Sequence, residues 1–253
     1  MDTLTSLQII PVPGIPEVQP GDDLAEVIWS TLNRNNLVLQ EGDILVIAHK
    51  VVSKSEGRLV DLRSVVPSDL ARRYAEQYGK DPRHVEVVLR ESNRIVRMDR
   101  GIIISETRHG FVCANAGVDA SNVRGEECVC LLPLDPDASA RLIGERLETH
   151  TGFHLPVIIT DSFGRPWRSG IVNVAIGVYG MSPVADYRGQ ADIYGRDLVV
   201  TVMAIADEIA GAAELVMGKL NAVPVAIVRG YPYEQSEGHA KSLVMPAERD
   251  LFR

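Results

Sequence analysis

The chain has 253 residues, 45% of them hydrophobic, which is enough to bury a sizeable core. Its formal net charge is −8 and its pI is about 5.3. That bulk charge argues against a nucleic-acid or anionic-membrane surface, so any phosphate ligand must meet a local cluster of Lys or Arg.

From the N-terminus, residues 8–12 read as a short strand, broken by the segment Pro11-Val12-Pro13-Gly14-Ile15-Pro16. Asp22 or Asp23 can cap a helix running to Asn33, with Leu24, Val27, Ile28 and Leu32 on one face. Residues 43–52 form a largely apolar run in which Ile44, Val46, Ile47, Val51 and Val52 are β-branched, which predicts a strand buried on both faces. It runs into the polar turn Ser53-Lys54-Ser55-Glu56-Gly57-Arg58. Residues 68–77 and 82–90 predict two charge-rich surface helices, and strands follow around 94–98, 102–106, 111–114 and 128–132. Thr107-Arg108-His109-Gly110 suggests a hairpin link between two of them.

Asp135-Pro136-Asp137 starts a helix to about residue 149, with Pro at a favoured first-turn position. Residues 155–160 predict a buried strand ending at Asp161, and 171–179 a Gly-punctuated strand. Helical spacing of Val202, Ile205, Ala206, Ile209, Ala213, Val216 and Met217 predicts a helix over 201–217, with Gly218 as its C-cap. Residues 223–228 close the core as a strand, and the tail after Gly230 reads as loosely ordered. Strands and helices mix without strict βαβ alternation, so the fold class is α+β with mixed sheets and packed helices. No signal peptide is read at the start and no apolar run reaches membrane-spanning length, so a soluble, cytoplasmic protein with no membrane partner is expected.

Two acidic clusters stand out as candidate sites. Asn115-Ala116-Gly117-Val118-Asp119-Ala120-Ser121-Asn122 and Thr160-Asp161-Ser162 each place an Asp beside short oxygen-bearing side chains after a strand. Such oxygens suit hard cations such as Mg²⁺ or Mn²⁺, although ordinary turn chemistry explains most clusters of these residues. Lys54 can act as a point charge on phosphate or as a solvated Lys at a strand end. In Gly164-Arg165-Pro166-Trp167-Arg168-Ser169-Gly170, the Arg165 and Arg168 guanidinium groups suit an anionic substrate, or they belong to an ordinary exposed loop.

Other motif classes fall away. Phosphate loops of the Gly-x4-Gly-Lys-Ser/Thr and Gly-x-Gly-x-x-Gly types are absent from the sequence. Three cysteines (Cys113, Cys128, Cys130) build no disulfide framework, and Cys128 and Cys130 read as small side chains sharing one strand face. The six histidines show neither metal-ligand spacing nor a nucleophile partner. Asp207 and Glu208 read as solvent-facing charges on the long helix.

Taken in order, these blocks resemble the coenzyme F420-0:L-glutamate ligase (F420 γ-glutamyl ligase) family, which adds glutamate to the lactyl phosphate side chain of a deazaflavin coenzyme. The resemblance runs from Pro11-Val12-Pro13-Gly14-Ile15-Pro16 to Val225-Ala226-Ile227-Val228-Arg229-Gly230. It includes Val52-Ser53-Lys54-Ser55-Glu56-Gly57-Arg58, both Asp clusters, Leu132-Pro133-Leu134-Asp135-Pro136-Asp137 and Ala206-Asp207-Glu208-Ile209-Ala210. A further matching block is Asp192-Ile193-Tyr194-Gly195-Arg196-Asp197-Leu198.

The resemblance implies a GTP-dependent ligase using two divalent ions, Mg²⁺ or Mn²⁺, with K⁺ as an optional addition. Its acceptor would be F420-0 or a dehydro precursor, and its amine donor L-glutamate. By position, Asp119, Asp161 and Ser162 would ligate metal, Ser162 standing where some relatives carry Thr. Lys54, Asn122 and the loop Ile15, Pro16, Glu17 and Val18 would contact GTP, as would His49 and Lys50. The segment Met217, Gly218, Lys219, Leu220, Asn221, Ala222 and Val223 corresponds to a nucleotide-contacting loop, about one residue shorter than the family's Gly-rich version. A two-part α+β fold in a homodimer is implied, and the C-terminal nitroreductase-like domain of some relatives is expected to be absent. A GTP-binding regulatory or scaffold protein, or an amide ligase for another carboxylate, are the alternatives.

Overall fold

The computed structural model describes residues 6–121, 125 and 127–250. Strand β1 (Gln8–Pro11) is followed by helix α1 (Leu24–Arg34), β2 (Ile44–Ala48), helix α2 (His49–Ser55) and β3 (Leu59–Asp61). Helices α3 (Asp69–Tyr78) and α4 (Pro82–Glu91) precede β4 (Ser92–Asp99), β5 (Ile102–Thr107), β6 (Val112–Ala114) and β7 (Cys128–Cys130). Then come helix α5 (Pro136–Thr151), the long hairpin of β8 (Val157–Arg165) and β9 (Arg168–Tyr179), and the short pair β10 (Ala185–Asp186) and β11 (Val202–Met203). Helix α6 (Ile205–Met217) and β12 (Val225–Arg229) follow. The α+β class with mixed sheets is therefore correct. Among the described residues, no helix is long and apolar enough to cross a membrane.

Short polar side chains start four of the helices, two of them, at Asp23 and Asp135, as the sequence predicts. Asp23, Ser68, Asp81 and Asp135 accept backbone N–H groups from the first turns of α1, α3, α4 and α5. Pro82 and Pro136 occupy the first turn, where a missing N–H costs nothing. Gly79 and Gly152 end α3 and α5 in the left-handed conformation.

A five-stranded sheet in the order β1-β12-β2-β8-β9 organises the main core. Its centre is the parallel pair β2 and β8, with Leu45 opposite Val157 and Ala48 opposite Thr160. Ile44, Leu45, Val46 and Ile47 have no solvent exposure, so both faces of β2 are covered. Helix α5 presses so closely on β9 that a Cβ on Gly177 would clash with the Pro136 carbonyl oxygen. A second apolar cluster gathers Leu62, Tyr74, Val85, Val88, Ile103 and Val129 from α3, α4 and the strands around them.

Four predicted boundaries move. The strand expected over 43–52 stops at Ala48, and α2 begins at His49. Helix propensity disfavours Val51 and Val52 by only a few tenths of a kcal/mol each, whereas burying each contributes about 1.5 kcal/mol or more, so packing decides. Strand β8 does not end at Asp161 but continues to Arg165, paired with β9 throughout. Helix α6 starts at Ile205, because Val202 and Met203 pair with Asp186 and Ala185. The tail is also more ordered than predicted: Ala240 is 1% exposed, and its N–H donates to Asp137 Oδ1 at 2.9 Å.

Asp207 is the fifth departure. The register of β8 and β9 slips between Ile159–Gly177 and Thr160–Ala175, and Asp207 Oδ1 accepts the Ala175 N–H at 2.8 Å. Burial pushes this carboxyl above its usual 3.8, the Ala175 bond opposing the shift. A raised folded value means the folded state holds the proton more tightly, so the Asp207 contribution weakens as pH rises above 3.8. Asp207→Asn keeps the acceptor and is expected to remove that pH slope with little stability change. Asp207→Ala orphans a backbone donor and is expected to lose about 1–3 kcal/mol. Urea titrations at pH 4 and pH 7 separate the two, and equal loss in both variants would refute this account.

Candidate active site

The sheet register builds the site. Because Ala48 lies beside Thr160 in parallel, the next residue of each strand, His49 and Asp161, emerges at the same sheet edge. Strand β12 runs antiparallel to β2 and starts at that edge, with the Ala48 N–H donating to the Pro224 carbonyl at 2.8 Å. Strand β1 ends there too, the Val12 N–H donating to Val225 O at 2.9 Å. Segments distant in sequence (15–18, 48–54, 160–162 and 217–224) thus converge on one cavity of about 720 Å³.

His49 is 2% exposed and lies behind Asp161, with Nε2 at 3.3 Å from Asp161 Oδ1 and Nδ1 at 3.3 Å from Ser53 Oγ. Burial alone would raise the Asp161 carboxyl. His49, the Ser162 N–H and the Lys50 charge outweigh it and hold the carboxyl below its usual 3.8.

Asp119 sits at the end of a tight backbone passage. Asn115 and Ala116 both have φ of 52°, and a Cβ on Gly117 would meet the Leu132 side chain at 2.8 Å, so only Gly fits there. The Asp119 backbone exchanges hydrogen bonds with Cys130. Its carboxylate accepts the Ser121 N–H at 2.7 Å and the Ser121 hydroxyl at 3.0 Å, so turn chemistry is real at this cluster. It also accepts the Lys50 ammonium at 2.6 Å, which links it to the cavity wall. Burial raises this carboxyl, but Lys50 and Ser121 leave it net lowered.

Lys54 is not a solvated strand-end lysine. It lies on α2, 8% exposed, and donates to Glu17 Oε1 at 2.7 Å, which ties the 15–18 segment to the cavity. Of the predicted nucleotide contacts, Ile15, Pro16, Glu17, Val18, His49, Lys50, Lys54, Met217, Gly218, Lys219, Leu220, Ala222 and Val223 line the cavity, as do Asp161 and Ser162. Asn221 does not line it, and Asn122 lies outside the described residues. Arg165 and Arg168 do not line it either. Continuing β8 carries them four or more residues beyond Asp161, roughly 13 Å along the strand, to the hairpin tip. There the Arg165 guanidinium donates to Ser169 O at 3.0 Å.

Two cavity residues escape a sequence reading. Ser162 Oγ donates to Asn173 Oδ1 at 2.7 Å, and Asn173 Nδ2 donates to Glu214 Oε2 at 2.9 Å. Lys219 donates to Ser162 Oγ and lies 3.8 Å from Glu214 Oε1. The available signal was helical phase: Glu214 follows Asp207 by seven residues, two turns on, so both face β9.

Among the described residues, no three His, Cys, Asp or Glu side chains cluster closely enough to hold a metal by themselves. The donors on hand are the Asp161 carboxylate and the Ser162 hydroxyl, which line the cavity, and the Asp119 carboxylate, which does not line it but reaches the lining residue Lys50. That set suits Mg²⁺ or Mn²⁺, which commonly take one or two carboxylates and complete their shell with substrate phosphates and water. Two lysine ammonium groups already sit against these oxygens, Lys50 on Asp119 and Lys219 on Ser162, so the positions accept cations.

The profile of the F420-0:gamma-glutamyl ligase family matches residues 14–230. The chain is 50% identical over 250 residues to the coenzyme F420:L-glutamate ligase of Methanothermobacter thermautotrophicus, covering 98% of this chain and 99% of that protein. It is 49% identical over 258 residues to the enzyme of the same name from Methanopyrus kandleri, with both chains fully covered. With that of Archaeoglobus fulgidus it shares 40% identity over 248 residues, covering 98% and 96%.

Proposed function

The chain belongs to the F420-0:gamma-glutamyl ligase family, and from that premise we propose that it joins L-glutamate to coenzyme F420-0, or a dehydro precursor, at the expense of GTP. The observation that carries this reading is the convergence of Lys50, Lys54 and Lys219 with Asp161 on one cavity. An acidic protein needs such a local cluster of cations to hold a polyphosphate.

A carboxylate and an amine do not condense unaided in water. In the proposed sequence, an oxygen of the acceptor carboxylate bonds to the γ-phosphorus of GTP as the bond to the β–γ bridging oxygen breaks, releasing GDP. The glutamate nitrogen then bonds to the acyl carbon, phosphate leaves, and the nitrogen loses its extra proton. Bound divalent ions would neutralise the charge on the phosphate oxygens during transfer. Asp119, Asp161 and Ser162 are the groups to hold them. Lys54 and Lys50 offer ammonium groups that can turn from Glu17 and Asp119 towards an incoming phosphate chain. Substrate anchoring by Arg165 and Arg168 needs reach from the hairpin tip, which leaves them a peripheral role in this scheme.

A cytoplasmic homodimer of a two-part fold is the proposed working form. The arm between β10 and β11 supports it, since Ile193, Tyr194, Val199 and Val200 are each 74% exposed or more, and such an apolar surface usually meets a partner.

Incubation with GTP, Mn²⁺, L-glutamate and F420-0 tests the assignment by mass spectrometry. The expected result is an acceptor heavier by whole glutamate residues, with one GDP formed for each, and no product when ATP replaces GTP. Nucleotide binding without product would point to a regulatory binder instead. Product formed with ATP would overturn the nucleotide assignment alone.

A further inference from the structure

We propose that Asn173 and Glu214 are positioning residues that turn the Ser162 hydroxyl into a pure acceptor facing the cavity, creating a cation corner there. This rests on the metal-dependent reading above and adds two residues to it.

Hydrogen-bond capacity sets the orientation of each group in the relay. Glu214 presents a carboxylate oxygen to the Asn173 amide, which turns its NH₂ towards it, as the 2.9 Å contact records. That fixes Asn173 Oδ1 on the opposite side, 2.7 Å from Ser162 Oγ. An amide oxygen has no proton to give, so Ser162 must donate its single proton to it. The Ser162 oxygen then has only lone pairs left for the cavity.

Lys219 shows which partner such an oxygen takes, because its ammonium donates to Ser162 Oγ. Asn173 is 6% exposed, so water cannot readily rescue a flipped amide, which would set acceptor against acceptor at Glu214 and donor against donor at Ser162. The fold supplies both ends of the relay. Ser162 faces Asn173 in the β8–β9 register, and Glu214 comes from the α6 face that also presents Asp207 to β9. A plain serine could point its proton anywhere; this one is held in a single orientation before any ligand arrives.

Mn²⁺ binding, read by electron paramagnetic resonance of the free ion, tests the relay in Ser162→Ala, Asn173→Ala, Glu214→Ala and the double variants with Ser162→Ala. Ser162→Ala and Asn173→Ala are each expected to weaken Mn²⁺ by about tenfold. The double variant is expected to be no weaker than Ser162→Ala alone, because the two residues act through one oxygen. The circular dichroism spectrum of each variant should match the parent's, which a general distortion of the fold would not allow. Unchanged Mn²⁺ affinity in Asn173→Ala beside a weakened Ser162→Ala would overturn the relay and leave the metal reading standing. Additive losses in the double variant would overturn it too. If Ser162→Ala itself bound Mn²⁺ normally, the assignment of Ser162 to metal would fail first, and the relay with it. Should Asn173→Ala fail to fold, Glu214→Ala decides: it frees the amide to flip, so severalfold weaker Mn²⁺, not additive with Ser162→Ala, is expected. Parental affinity or additivity would refute the relay.

Discussion

Asp161→Asn is expected to lower ligation by about a thousandfold or more, close to 4 kcal/mol of lost transition-state stabilisation. The substitution keeps the shape and the oxygen that accepts the Ser162 N–H at 2.7 Å, so it removes charge rather than packing. Charge is what this position supplies. Its carboxyl is held below 3.8 despite burial, by His49, the Ser162 N–H and Lys50 together. A depressed folded value means that ionised Asp161 favours the folded state above 3.8, and that this contribution is lost as pH falls through the folded value. The variant should therefore be somewhat less stable than the parent at pH 7, the two converging in acid, while remaining folded in both. Turnover with GTP, Mn²⁺, glutamate and F420-0, measured beside thermal melts at pH 3 and pH 7, checks both halves. Turnover within tenfold of the parent would remove Asp161 from the reaction.

Replacing Arg229 with Met should cost about 3–5 kcal/mol of folding stability. Asp43 has no solvent exposure, and Arg229 reaches it through Nε at 2.7 Å and Nη2 at 2.8 Å. The pair joins the end of β12 to the start of β2, where Val228 lies opposite Ile44. Taking away the guanidinium leaves a buried carboxylate whose remaining hydrogen bond, from the Gln40 N–H at 2.8 Å, cannot compensate its lost hydration. Combining Arg229→Met with Asp43→Asn removes the stranded charge, so the double variant should recover a large part of the loss. Urea denaturation with an unchanged slope would report this as stability alone. A loss below about 1 kcal/mol in the single variant would mean that Asp43 protonates or gains water at little cost.

Local chemistry made much of the fold legible. The caps at Asp23, Ser68, Asp81 and Asp135 and the glycine ends of α3 and α5 each depend on residues within four positions. The same holds for the hairpin between β5 and β6, whose turn closes through the Gly110 N–H and Thr107 O. Misplaced boundaries share one cause: a partner distant in sequence. The run from Asp43 to Val52 is β-branched throughout much of its length, yet its second half turns helical at the edge where β2 meets β8. Strand β8 outlasts its apolar stretch because β9 pairs with its polar half as well.

The α+β class, most of the elements, the family and the two aspartates on which the proposed chemistry turns were legible in the residues alone. Which charges meet is set by the folded chain. Lys54 pairs with Glu17 across 37 positions and Lys50 with Asp119 across 69, while Asn173 and Glu214 enter beside Ser162 and the two arginines leave. Caps and turns are settled by atoms a few bonds apart. The cavity is settled by strand register, a sum of weak non-local contacts that no single stretch of the chain contains.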